Sequence, residues 1–213
     1  HRVLEHEKLT SLGELANGAS HEINNPLANI STRAQALLVD EPDPERRRML
    51  AIINTQALRA NELIADMMIF ARPPQLVCEQ IDLVPLVRSL IEELADEAAL
   101  QATQLTVVPR VDSLCVSADE TQLAMSLRAT VVNALQALGA DGHVEITVQK
   151  EEPAGSDAGC WARVCVRDTG PVIPPHVRRH LFDPFYSGRE AGRGLGLGLA
   201  KCWRIVTLHG GYI

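Results

Sequence analysis

Aromatic residues, long apolar runs and basic charge are all scarce in this chain. Phe, Tyr and Trp make up 3% of its 213 residues, so any core must be built from aliphatic side chains. No segment approaches the roughly 20 apolar residues that cross a bilayer, and no secretory signal is visible. The formal net charge of -7 disfavours binding to nucleic acids or anionic membranes, which favour a basic face. We therefore expect no nucleic-acid partner.

Signals of disulfide bonding are missing as well. The five cysteines are an odd number, and no two of them have CxxC spacing. This favours reduced thiols and a cytoplasmic location. The chain begins at His1, in the middle of an apolar pattern and without an initiator methionine. We expect a piece of a longer parent, with membrane attachment only through parent segments absent from this chain.

The first 70 residues have the periodicity of two amphipathic helices. Apolar residues recur at three- and four-residue spacing from Leu12 to Leu37 and again from Met49 to Phe70. Residues 40–44 include two prolines and predict a turn between the helices. A single hairpin cannot bury both apolar stripes, so we expect a homodimer in which two hairpins form a four-helix bundle. A hairpin docked on the rest of its own chain is the alternative.

The remaining residues predict an α+β sandwich, a mixed sheet with helices on one face, after a linker at 72–75. Helices are expected at 83–100, at about 119–138 and from near Leu195 to about Leu208. Strands are expected at 104–109, 114–117, 143–150 and 161–167, with a turn at 139–142. The predicted domains are therefore 1–72 and 73–213.

His21 is a candidate reactive side chain on the first helix. On a helical wheel, His21 and Asn25 lie opposite the apolar stripe, and Glu22 lies at its edge. A neutral imidazole is a nucleophile near pH 7, and Glu22 can accept its second proton or orient the ring. Asn25 can position a phosphoryl group or a water. On this pattern alone, a solvated surface histidine is the alternative.

Two polar positions further along suit a nucleotide. Asn133 lies in an apolar stretch of helix, where its amide oxygen would bind a metal ion carried by a triphosphate or bond to nearby backbone. Asp168 closes a strand and can accept a hydrogen bond from an exocyclic amine such as that of adenine. Gly170 would let the backbone approach a flat base. An ordinary Asp-x-Gly turn is the alternative for this pair.

A glycine-rich run before the last helix suits phosphate groups. Glycines alternate with leucines in this run, so backbone N–H groups and the helix N-terminus can hold phosphates. The run fits neither the dinucleotide nor the P-loop fingerprint, and a flexible surface loop is the alternative. The candidate phosphate-binding residues are Gly194, Gly196, Gly198 and Leu199.

In their order along the chain, these features resemble the sensor histidine kinases of two-component systems. LGELANGASHEINNPLANI is similar to the histidine box and TVVNALQAL to the asparagine box. VRDTGPVIP and GRGLGLGLAKCWRIVTLHGG are similar to the two glycine boxes, and LFDPFYSGR to the phenylalanine box. The resemblance implies a dimerisation and phosphotransfer domain followed by a GHKL-type ATP-binding domain. HEINNPL and FARP are most similar to the nitrogen-regulation branch.

The resemblance also implies an activity and its residues. The ATP γ-phosphoryl group would pass to His21 and then to an aspartate of a response regulator. Glu22 and Asn25 occupy the acid and amide positions of the histidine box. Asn133 occupies the position that binds Mg²⁺, and Asp168 the position that binds adenine.

Three departures from the family pattern motivate an alternative. Val172 replaces the second glycine of the first glycine box, and Ala129 stands where an asparagine is frequent. The chain ends at Ile213, before the closing hairpin that usually follows HGG, so we expect a truncated ATP domain. These departures favour a degenerate kinase that dimerises and binds a partner with little ATP turnover. A GHKL ATPase without histidine transfer is a third possibility, and the exposed His21-Glu22 pair argues against it.

Overall fold

The computed structural model describes residues 22–71, 74–152, 160–186 and 196–213. The helices are α1 (22–40), α2 (Pro44–Ala71), α3 (Leu83–Leu100), α4 (Glu120–Leu138), α5 (Pro175–Arg178) and α6 (Gly198–Leu208). The strands are β1 (Glu79–Asp82), β2 (Thr103–Pro109), β3 (Cys115–Ala118), β4 (Gly142–Glu151) and β5 (Trp161–Asp168). The chain forms two compact units, one containing the helical hairpin and the other beginning at Gln75. None of the described helices is both long and apolar enough to cross a membrane.

A short turn joins α1 to α2 at the predicted position. The Asp43 carboxylate accepts a hydrogen bond of 2.8 Å from the backbone N–H of Glu45, which caps the start of α2. Pro44 takes the first helical position, where its missing N–H costs nothing. The Arg47 guanidinium donates a hydrogen bond of 2.6 Å to the carbonyl of Glu41. The proline-rich segment therefore ends one helix and starts the next.

Small and polar side chains fill the seam between α1 and α2. Ala34 and Ala57 are buried, and the buried Ser31 hydroxyl donates a hydrogen bond of 2.7 Å to Asn54 Oδ1. Leu27, Leu63, Ile64 and Met67 of the predicted stripes are half-buried, and six other large residues of the stripes are exposed in the single chain. They form an apolar surface on the hairpin, made up of Ile23, Ile30, Leu37, Met49, Ile52 and Ile53. The hairpin alone therefore does not bury its apolar residues.

The second unit contains two sheets. The larger has the order β2-β4-β5, with β2 parallel to β4 and β5 antiparallel to β4. The smaller pairs β1 with β3 in antiparallel register. A parallel pair requires a crossover connection, and α4 lies in the chain between β2 and β4. The predicted α+β class and mixed sheet are confirmed.

The core lies between the larger sheet and helices α3 and α4. Val144, Ile146 and Val148 alternate along β4 and are fully buried, since successive side chains point to opposite faces of a strand. They share one core cluster with α3 and α4 residues such as Leu94 and Leu135. Each fully buried aliphatic side chain contributes roughly 1.5–3 kcal/mol. This packing fixes α4, which contains Asn133.

Strands β2, β4 and β5 differ from the sequence prediction by one residue at one or both ends, and three further differences concern β1, β3 and α6. Strand β1 was not predicted, because its sequence EQID contains only one apolar residue. Strand β3 runs over Cys115–Ala118, and it belongs to the smaller sheet. Helix α6 begins at Gly198 and not near Leu195, because Gly196 adopts a φ of +67°, which a right-handed helix does not allow.

Candidate active site

The candidate phosphotransfer residues lie at the start of the described part of α1. Glu22 and Asn25 are both exposed there, as the wheel predicted for Asn25. His21 itself lies outside the described residues, as does Gly194. The exposed face of α1 therefore presents an acid and an amide directly after His21 in the sequence, and the roles of all three residues stay predictions.

Asp168 and Gly170 form a tight turn at the end of β5. One Asp168 carboxylate oxygen accepts a hydrogen bond of 2.8 Å from the backbone N–H of Gly170. The backbone N–H of Thr169 donates to the carbonyl of His143 at 3.1 Å, and the N–H of His143 donates to the Thr169 hydroxyl at 3.1 Å. Two reciprocal hydrogen bonds thus tie this turn to the beginning of β4. The exposed carboxylate keeps its second oxygen available to a ligand.

Gly170 places this turn against the end of α4. A Cβ atom added to Gly170 would lie 2.7 Å from Asp168 Oδ1 and 3.5 Å from Leu138 Cδ2. The same atom would lie 3.8 Å from the backbone carbon of Ala137. Asn133 is half-buried one helical turn before Ala137, which is about 6 Å along the axis and on the same face. The structure therefore brings Asn133, Asp168 and Gly170 to one end of α4.

Helix α6 runs antiparallel to α4 and starts near the same end. Ser126 Oγ and Cys202 Sγ are 2.8 Å apart, and Thr130 Oγ1 lies 3.3 Å from the same sulfur. Gly198 lies four residues before Cys202 on α6, and Thr130 lies four residues after Ser126 on α4. In an antiparallel pair of helices, Gly198 and Thr130 therefore lie at the same level. The half-buried Gly198 and Leu199 form the N-terminus of α6, where free backbone N–H groups suit anions.

Sequence reasoning missed two residues that build this region. His143 holds the Asp168 turn through its backbone, and its Nε2 lies 2.7 Å from Thr106 Oγ1 on β2. Asp119 caps α4 by accepting a hydrogen bond of 2.9 Å from the backbone N–H of Gln122. The Asp-x-x-Gln pattern before an apolar helix was the available signal for Asp119. No local signal marks His143.

The five cysteines all lie within the described residues and are free thiols. Cys202 is buried between α4 and α6, Cys165 is half-buried on β5, and the other three are exposed. In the described part of the chain, no group of three or more His, Cys, Asp or Glu side chains could hold a metal ion.

A helical hairpin followed by an α+β domain with an exposed carboxylate turn and a helix N-terminus is the arrangement expected of the histidine kinases. Two family models match this division of the chain. The His Kinase A (phospho-acceptor) domain matches residues 11–75. The Histidine kinase-, DNA gyrase B-, and HSP90-like ATPase model matches residues 118–213. The chain belongs to the sensor histidine kinases.

Individual relatives agree with this family. The chain is 34% identical over 217 residues to the sensory histidine kinase/phosphatase NtrB of Salmonella typhimurium, covering 99% of this chain and 60% of that protein. The crystal structure of full-length ShkA in complex with AMPPNP has a TM-score of 0.76 and 25% identity, covering 92% of this chain and 41% of that chain. The crystal structure of histidine kinase ThkA in complex with response regulator protein TrrA has a TM-score of 0.64 and 25% identity. The match covers 96% of this chain and 57% of that chain. The chain spans about half the length of the curated relatives it matches.

Proposed function

We propose that the chain is an ATP-dependent protein histidine kinase that phosphorylates its own His21. One observation supports this most strongly. The asparagine of α4, the carboxylate turn of β5 and the N-terminus of α6 converge at one end of α4, in a chain that also has a phospho-acceptor hairpin. An imidazole nitrogen of His21 would attack the γ-phosphorus as the bond to ADP breaks. Glu22 would accept or orient the proton on the other ring nitrogen.

Each nucleotide group has a proposed partner in the chain. The free oxygen of Asp168 accepts a hydrogen bond from the exocyclic amine of adenine, while Gly170 leaves room for the base. The backbone of Gly194, Gly196, Gly198 and Leu199 holds phosphates. Asn133 contributes its amide oxygen to Mg²⁺, which neutralises phosphate charge when bound.

The apolar surface on the hairpin supports a homodimer. Ile23, Ile30 and Leu37 recur every seven residues along α1 and are exposed in the single chain. A seven-residue apolar repeat is the signature of helices that pair along a seam. We propose that a second copy of the hairpin covers this surface and completes a four-helix bundle, within a phosphotransfer domain at 1–72 followed by an ATP-binding domain at 73–213.

The phosphoryl group of His21 would pass to an aspartate on a response-regulator receiver domain. The structure of ThkA with its response regulator TrrA, which covers 96% of this chain, supports this class of partner. Asn25 is exposed and lies four residues after His21 in the sequence, and its amide would orient a water during dephosphorylation of that partner. NtrB, whose name includes phosphatase activity, is a relative over nearly the whole chain.

The alternative of a degenerate kinase has less support. Val172, which replaces a glycine of the first glycine box, leaves 92% of its surface exposed. Its side chain therefore fills no space between the described elements. Ala129 is half-buried on α4 one turn before Asn133. Its methyl group offers no contact to a phosphate, and a slower turnover would be its consequence.

Labelled ATP separates these functions. The chain is incubated with γ-labelled ATP and Mg²⁺, and the label is tested for acid lability and alkali stability. Label on the wild type and on His176→Gln, which changes an exposed histidine of α5, but not on His21→Gln would support the autokinase. Nucleotide binding without any label would favour the degenerate kinase. ATP hydrolysis that persists in His21→Gln would favour a plain ATPase.

A further inference from the structure

Asp119 joins three segments of the second unit. Its side chain is only 8% exposed and caps α4 through the backbone N–H of Gln122 at 2.9 Å. The other carboxylate oxygen accepts a hydrogen bond of 3.0 Å from the backbone N–H of Val77, in the short segment before β1. The Gln122 side-chain amide also donates to that oxygen, at 3.3 Å. These hydrogen bonds, of which the one from Val77 has the largest effect, lower the pKa of Asp119 and keep its carboxyl group ionised.

His209 attaches the end of α6 to the same residue. The backbone N–H of Asp119 donates a hydrogen bond of 3.0 Å to His209 Nε2. His209 Nδ1 lies 2.8 Å from the carbonyl oxygen of Ile205 and must donate to it, because a carbonyl only accepts. The ring is therefore held as the neutral Nδ1–H tautomer, with both nitrogens used. These contacts bridge residues that are 90 positions apart in the chain.

The contact between Asp119 and His209 sets the register of α6 on α4. Seven residues separate Asp119 from Ser126, and seven separate Cys202 from His209, so the two contacts belong to one antiparallel register. Continued toward the nucleotide end, this register brings Gly198 level with Thr130, one turn before Asn133. A slip of α6 by one residue would move its N-terminus by about 1.5 Å relative to Asn133.

We propose that Asp119 and His209 are positioning residues for the nucleotide, which hold the N-terminus of α6 in register with Asn133 and connect that register, through the Val77 amide, to the segment that precedes β1. This inference depends on the proposed nucleotide binding at Asn133, Asp168 and α6. Neither residue contacts that site, since Asp119 lies about 21 Å along α4 from Asn133. The segment before β1 is thus held by the same carboxylate that caps the helix containing Asn133.

Substitutions at His209 test the register. Gln can accept the Asp119 hydrogen bond through its side-chain oxygen, whereas Ala cannot. In the whole chain, His209→Ala should weaken binding of a non-hydrolysable ATP analogue about fivefold, with His209→Gln within about twofold of wild type. The KM for ATP in autophosphorylation should rise in parallel, while the rate at saturating ATP changes little, because the effect is on nucleotide placement.

Substitutions at Val77 test the contact between the segment before β1 and the Asp119 carboxylate, at a position whose own side chain is exposed. Val77→Pro deletes the amide that Asp119 accepts, and Val77→Ala keeps it while removing the same exposed side chain. Val77→Pro should weaken analogue binding about fivefold, and Val77→Ala should bind as wild type does. Thermal melts of all four variants show whether each one is folded at the assay temperature.

The outcomes separate this inference from the proposed function. Wild-type affinity in both His209→Ala and Val77→Pro would overturn the inference and leave nucleotide binding intact. Equal losses in His209→Ala and His209→Gln would also overturn it, since the hydrogen bond would then not be the cause. A wild-type chain that binds the analogue but takes no label from ATP would contradict only the proposed kinase activity. The analogue affinities of the variants would still test the positioning role of Asp119 and His209. A wild-type chain that binds no analogue overturns both.

Discussion

Ser31 and Asn54 form the hydrogen-bonded pair of the hairpin seam, and a matching pair without such a bond lies two turns away. Asn24 is seven residues before Ser31 and Asn61 seven residues after Asn54, so antiparallel helices place them at the same level. The side-chain oxygens of Asn24 and Asn61 are buried and accept no hydrogen bond from any residue that the structure describes. The buried polar groups of one layer of the seam are thus hydrogen-bonded, and the buried amide oxygens of the other layer are not.

Asn61→Leu and Asn54→Leu should therefore change stability in opposite directions. Burying an amide oxygen without a donor is costly, so Asn61→Leu should raise the free energy of unfolding by about 1 kcal/mol. Asn54→Leu leaves the buried Ser31 hydroxyl without its acceptor and should lower that free energy by about 1 kcal/mol. Urea unfolding at one fixed protein concentration measures both, and a loss of stability in Asn61→Leu would contradict the prediction.

Asp168→Ala should remove the acceptor proposed for adenine. Hydrogen bonds to charged groups contribute roughly 1.5–3 kcal/mol, so ATP-analogue affinity should fall about 10- to 100-fold. Preference for ATP over GTP should fall as well, because guanine offers an acceptor where adenine offers its amine. Calorimetric titration measures both, with Asp112→Ala, an exposed carboxylate between β2 and β3, as the control. Equal losses in the two variants would argue against an adenine contact.

Two glycines of the same region should respond differently to Ala. At Gly170 the new Cβ would lie 2.7 Å from Asp168 Oδ1, so the carboxylate must move and lose its bond to the Gly170 amide. Nucleotide affinity of Gly170→Ala should fall about tenfold, the value of one such hydrogen bond. At Gly198 the new Cβ would meet no atom within 4 Å among the described residues outside its own helix turn and chain neighbours, so Gly198→Ala should bind nearly as wild type does. The opposite order would show that the turn is not the base-binding element.

Acid should weaken the cap of α4. Hydrogen bonds from the Val77 and Gln122 amides place the folded-state pKa of Asp119 below the unfolded value. The stability it contributes is complete above an unfolded pKa of about 4 and is lost as the pH falls through the folded value. Asp119→Asn removes this titration. The difference in unfolding free energy between wild type and variant should therefore shrink from about pH 6 to about pH 3, measured by urea midpoints.

The sequence predicted elements whose signals are local. Helices α3 and α4 were placed within one residue of their observed bounds, because apolar periodicity marks each of them. The hairpin turn followed from two prolines at 40–44. Strand β1 was missed because EQID has no alternation that a four-residue window can show.

Contacts between distant segments were out of reach. The Asp168 turn depends on His143, which is 26 residues from Thr169, and the α4 cap depends on His209, which is 90 residues from Asp119. A periodic pattern reports which face of an element is buried, and it carries no information on which element covers that face. The family resemblance supplied the order of the site residues, and the register of α4 and α6 came only from the structure.

The apolar surface of the hairpin also makes folding a matter of mass action. A chain that leaves Ile23, Ile30 and Leu37 exposed gains stability whenever a second copy covers them, so its melting temperature should fall on dilution. Polar residues at these three positions would remove that concentration dependence. For the unaltered chain, the abundance of the protein in a cell would set the fraction of chains that are paired.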